Sequence, residues 1–169
     1  MISILRDNGG SDLSDEKLEF LSSFSSGIPG KALSLMNDTE FMEEREHVFN
    51  LIMNMPRMSL TDLLCDEYDY FYKNRDKMDE LLLLVVWTLG DIAAVIASPE
   101  PGELKNSDKK NEIVRFVSGN GNITLINISN AEQAVTDFID ASHVNVTFEV
   151  SCCNMLLRIH KELCYEKNR

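Results

Sequence analysis

The sequence predicts an all-α protein, and three observations predict it. Apolar residues recur at alternating steps of three and four along most of the chain. Serine, aspartate and proline stand where helices start, with glycine or proline where they stop. No apolar-polar alternation runs long enough to insist on a strand, although β-branched residues crowd 144–150.

The elements follow in order. Met1 to Arg6 reads as the end of a helix with no start signal, so a cut fragment of a longer protein is expected. Ser14 can cap a helix running to about Phe24, with Leu13 and Leu18 as a hydrophobic staple. Gly27 ends that helix. Pro29 suits the first turn of another through Met36, because its fixed φ and missing N–H cost nothing there. Asp38 or Thr39 caps the next, whose apolar residues Phe41, Met42, Val48, Phe49, Ile52 and Met55 precede a stop at Pro56. Ser59 can cap a helix with Leu60, Leu63 and Leu64 on one side.

Asp76 precedes the most hydrophobic helix, about Met78 to Ala97, apolar nearly all round and so central to a bundle. Its apolar run, Leu81 to Ala97, falls short of the roughly 20 residues of a membrane span and includes Gly90 and Asp91, so a core helix is expected and no membrane contact. The stretch 98–102 is a loop. A short helix covers about Asn111 to Val117, and Gly119 and Gly121 break the chain. Two longer helices close it. One has the stripe Ile128, Ala131, Val135, Phe138 and Ser142, the other Phe148, Cys152, Met155, Ile159 and Leu163, and the short link 143–145 makes them an antiparallel hairpin. The natural seam lies near Asn37, between a three-helix unit (1–37) and a larger helical bundle (38–169).

Composition narrows the function. The 169 residues are 44% hydrophobic and 26% charged, enough for a soluble globular core. Asp and Glu number 28 against 16 Lys and Arg, a formal charge of −12, which opposes broad contact with phosphate backbones. No direct nucleic-acid grip is expected. Cys65, Cys152, Cys153 and Cys164 lie in apolar surroundings without CxxC spacing, which fits reduced, buried thiols in a cytosolic protein. Asn122, Asn127 and Asn145 each open a glycan acceptor pattern, read as chance without a signal peptide.

Candidate chemistry is sparse. The segment Gly27 to Ala32 superficially resembles a phosphate loop, but Ser25 stands where the first glycine is needed and Ala32 where the magnesium-binding hydroxyl belongs. No nucleotide site or other cofactor is expected. Cys153, His160 and Cys164 share a helix face, yet Cys153 sits two turns, about 10 Å, from His160 and cannot share an ion with it. Core packing, and no metal site, is the expectation there. His47, His143 and His160 fall in no catalytic signature, so no catalytic residue is assigned. Asp91 interrupts an apolar helix, where an unpaired charge is costly. It either faces solvent or caps a neighbouring helix, or it makes a hydrogen bond between helices or between subunits.

The string from Leu21 to Leu33, with Ser26, Gly27, Pro29, Gly30, Lys31, Ala32 and Leu33, resembles the lid of AAA+ clamp-loader subunits. Residues 83–92, with Leu83, Leu84, Trp87 and Asp91, resemble the tryptophan-bearing collar helix of the delta-prime family of the bacterial DNA polymerase III clamp loader, with Gly90 in place of its usual arginine. Ala131 to Ala134, then Asn145, Thr147, Phe148 and Glu149, resemble the end of that collar.

The resemblance implies an AAA+ lid over 1–37 and a collar over 38–169. It implies a non-catalytic part of the polymerase holoenzyme that holds gamma or tau and delta subunits in a clamp-loading ring during DNA replication. It places Lys31 at a sensor-2-like position, cofactor-facing only beside a nucleotide held elsewhere. Trp87, Asp91, Phe138, Asn145, Phe148 and Glu149 are the candidate interface residues. Two other readings stay open: a free-standing helical regulator that binds another protein, and a small metal-binding protein or enzyme using His160 and Cys164.

Overall fold

A computed structural model describes residues 1–98, 100–142 and 146–164 of the chain. These are helices joined by short turns, with no strand among the described residues. The first three helices are α1 (Ile2–Asp7), α2 (Asp15–Phe24) and α3 (Pro29–Met36). Ser14 caps α2 by accepting from the Lys17 N–H at 3.4 Å. Asp15 and Glu16 complement the positive end of that helix. Past α2, Ser26 and Gly27 both take left-handed φ values, 53° and 75°. The Gly27 N–H bonds back to the Ser22 carbonyl, which closes the helix end. Pro29 then opens α3 as expected.

Asp38 caps α4 (Thr39–Asn54), accepting from the Phe41 N–H at 3.0 Å. Pro56 falls in a 3-10 turn, Met55–Arg57, that closes this helix. Ser59 caps the next element as expected, but that element is not one regular helix. α5 (Leu60–Asp62) runs into a widened π turn, Leu63–Glu67, and on into α6 (Tyr68–Lys73). The last four helices are α7 (Met78–Ala97), α8 (Lys110–Gly119), α9 (Leu125–Ser142) and α10 (Phe148–Leu163).

α7 lies at the centre, packed by α4, α8 and α9, with Leu81, Leu89 and Ile92 fully buried. Within residues 75–97 an 18-residue stretch, with a mean hydropathy of 2.1, is long and apolar enough to cross a membrane by composition, yet half of that stretch is buried inside the protein. α9 and α10 form the expected antiparallel pair. Asn127 meets Glu162 at one end and Phe138 meets Phe148 at the other. The stripes differ somewhat from expectation. Ala134 joins the buried face of α9, Ser142 is exposed, and Ser151 and Leu156 join that of α10. The link 143–145 lies outside the described residues.

The seam near Asn37 is crossed by a shared aromatic cluster. Phe20 and Phe24 of α2 pack on Phe41 of α4 at ring-centroid distances of 6.2 and 4.8 Å. Both also meet Trp87 of α7 edge-on at 5.7 and 5.3 Å. Residues on both sides of the seam therefore belong to one hydrophobic core.

Candidate interaction surface

A buried polar clamp fixes the frame on which any surface must sit. Asp91, only 3% exposed, accepts from the backbone N–H groups of Lys105 and Asn106, both at 2.7 Å, and from the Asn106 side-chain amide at 2.9 Å. Burial pushes its carboxyl above the ordinary aspartate value, against the pull of the three donors. Asn106 turns its carbonyl to the Arg45 guanidinium at 3.0 Å, and Arg45 also grips Asp108 at 2.6 and 3.1 Å. The same guanidinium lies 3.7 Å over the Phe20 ring, a cation–π contact. α2, α4, α7 and the segment before α8 are thus tied through one set of side chains.

The sequence-named residues divide by where this frame puts them. Asp91 is spent inside the chain, bonding α7 to residues 105 and 106, which selects the inter-element alternative and leaves it off the surface. Trp87 is half-buried under Phe20 and Phe24, with the Lys105 ammonium 5.2 Å from its ring. Phe138 is buried against Phe148. Phe148 is half-buried and also meets Tyr68 and the partly exposed Tyr72, so an aromatic face reaches the surface at this end of the hairpin. Glu149 is exposed beside it. Asn145 lies outside the described residues. Lys31 is exposed in the first turn of α3, its ammonium 5.6 Å from the Phe24 ring.

An apolar cleft among the described residues involves none of the interface residues named from sequence. Leu82, Leu83 and Val86 of α7 and Val135 and Ile139 of α9 line an open groove of about 270 Å³, with Asp79 at one end. Leu83 remains 38% exposed and Ile139 43%. Its signal was present. α7 is apolar on more faces than one neighbour can cover, and Val135 and Ile139 stand four apart, so they share a helix face.

Other clefts are polar. Glu40, Glu43, Glu44, His47, Tyr70 and Asn74 line one of about 350 Å³. There Lys77 pairs with the buried Glu44 at 2.7 Å, and His47 stacks on Tyr70 at 3.6 Å while bonding Glu67 at 2.8 Å. These charges satisfy one another. No three His, Cys, Asp or Glu side chains among the described residues converge as metal ligands. His160 and Cys164 do meet, with Nε2 and Sγ 3.2 Å apart, while Cys153 is half-buried on another part of α10 near Glu149. With the geometry in place, comparison with protein families, curated proteins and solved structures gives no match.

Proposed function

We propose that this chain is a non-catalytic helical assembly domain, acting as the lid and collar of a delta-prime-type clamp-loader subunit in the cytoplasm. Its task in this reading is to hold gamma or tau and delta neighbours in the ring that loads the sliding clamp for DNA polymerase III. Neither ATP hydrolysis nor DNA binding is assigned to it.

The observation that carries the reading is the apolar groove between α7 and α9. It lies on the helix bearing the tryptophan motif of the resemblance, and it leaves Leu83 and Ile139 partly uncovered on an otherwise acidic chain of net charge −12. An apolar helix flanked by lysine or arginine fits such a surface, since burying its side chains supplies affinity and the flanking charges steer it. The aromatic face of Tyr72 and Phe148 offers a second contact, at the last motif of the resemblance.

Gel filtration of a micromolar mixture with purified gamma or tau collar domains tests this. A shared peak is expected, and Leu83→Glu or Ile139→Glu should weaken it about tenfold or more, because a charge enters the centre of the contact. Separate elution of the two wild-type proteins would refute the reading.

A further inference from the structure

We propose that Tyr68, Phe148 and Glu149 form a docking site for the guanidinium of an arginine in an exposed basic segment of a partner protein. The arrangement that takes a guanidinium already exists inside the chain. Arg45 lies 3.7 Å over the Phe20 ring while its N–H groups grip the Asp108 carboxylate at 2.6 and 3.1 Å. Arg75 repeats half of this at the surface, 4.6 Å over the Tyr72 ring and donating to the Tyr72 carbonyl at 3.2 Å. A planar cation on a ring face with an oxygen acceptor beside it suits a guanidinium better than an ammonium.

At Tyr68 and Phe148 the rings and the acceptor are present without a cation of the chain. Both rings are half-buried, and among the described residues no lysine, arginine or histidine lies over either. Elsewhere Lys31 stands over Phe24, Lys105 over Trp87 and Lys109 over Phe49. Glu149 supplies the acceptor: it is exposed, and its side chain makes no hydrogen bond or ion pair among the described residues. The Tyr68 hydroxyl is raised above the ordinary tyrosine value, first by lost hydration and then by the Glu149 charge, so ring and carboxylate share one neighbourhood.

Tyr68 and Tyr72 stand four apart on α6 and share a helix face. The π turn Leu63–Glu67 just before them widens one turn by a residue, which moves every later side chain about 100° round the axis. In that register α6 packs on α10, with Tyr68 and Tyr72 at 6.4 and 6.1 Å from the Phe148 ring. The 6.4 Å between Tyr68 and Phe148 is too short to sandwich a guanidinium, because two stacking contacts of about 3.5 Å need about 7 Å. The ligand therefore lies across the outer ring faces, with its N–H fork turned to Glu149. Arg75 and the positive end of α10 oppose its charge, whereas Glu149 and the net charge of −12 favour it. One arginine should bind with a dissociation constant on the order of 1 mM, as a single anchor within a larger contact. The site uses no residue of the α7–α9 groove, and it goes beyond the clamp-loader reading because any protein with such an arginine fits it.

The test is an NMR titration of the full chain, read at its tyrosine and phenylalanine rings, against end-blocked glycine–alanine peptides carrying one central arginine, lysine or citrulline. The Tyr68 and Phe148 signals should shift saturably with the arginine peptide, about threefold more weakly with lysine, and not with citrulline, which keeps the shape without the charge. Glu149→Gln, an exposed change that leaves far-UV circular dichroism unaltered, should weaken arginine binding about threefold or more, and Tyr68→Leu should do the same at the Phe148 signal. Equal shifts from the citrulline peptide, equal affinity for lysine and arginine, or wild-type binding by Glu149→Gln would overturn the proposal. Shifts on other acidic faces that leave Tyr68 and Phe148 in place would overturn it too. None of these outcomes depends on the mixture with gamma or tau collar domains, which tests the groove.

Discussion

Arg45 and Asp91 are two buried charges that stabilise the fold only because each is fully partnered. Arg45 is 4% exposed and its partner Asp108 is close by, so Arg45→Ala leaves a carboxylate and the Asn106 carbonyl without their donor. A loss of about 3 kcal/mol in urea-unfolding free energy is expected. Cys152 is fully buried, and burial pushes its thiol up to about 12. It should resist alkylation in the native protein, whereas the exposed Cys65 should react at once; mass spectrometry after brief labelling reads the difference. Tyr70 is raised from 10.0 to about 12, first by burial and then by Glu44 and Glu67. Because the folded value is the higher one, its contribution to stability is intact below pH 10 and is lost as pH rises through about 12. Tyrosinate absorbance should show a late step that Tyr70→Phe removes.

Helix starts are where the sequence was most legible. Ser14, Asp38 and Ser59 each accept from a backbone N–H three residues on, as their positions imply, and Pro29 opens α3. Asp38→Ala should lower stability by about 1 kcal/mol through loss of the α4 cap, measurable as a lower urea midpoint at unchanged slope. What propensity could not disclose is anything set by packing. The π turn at Leu63–Glu67 breaks the helix expected after Ser59, and its cause is not visible in local residue type. Arg45 stands in the apolar spacing of α4, between Phe41 and Val48, but its partners Asn106 and Asp108 are more than sixty residues away. Asp91 reads from sequence as costly in an apolar helix; only folding shows that residues 105 and 106 receive it.

For the whole molecule, the seam near Asn37 and the α7–α9 groove matter most. Helix order and the lid-like motif put a boundary at the seam, yet Phe20, Phe24, Phe41 and Trp87 pack across it. Trp87 is the sole tryptophan, so its fluorescence reports the seam while circular dichroism reports all helices. The two signals should unfold together with one midpoint; separate midpoints would mean that residues 1–37 fold apart from the rest. The groove was half-legible, since α7 bears the interface candidate Trp87 but Leu83 and Ile139 are not among those candidates. Methyl NMR of the chain mixed with gamma or tau collar domains tests the central claim most directly. The methyl groups of Leu82, Leu83, Val86, Val135 and Ile139 should shift on binding while exposed Leu60 and Ile126, outside the groove, stay in place. Unchanged groove methyls in a saturated complex, or shifts confined to Leu60 and Ile126, would contradict it.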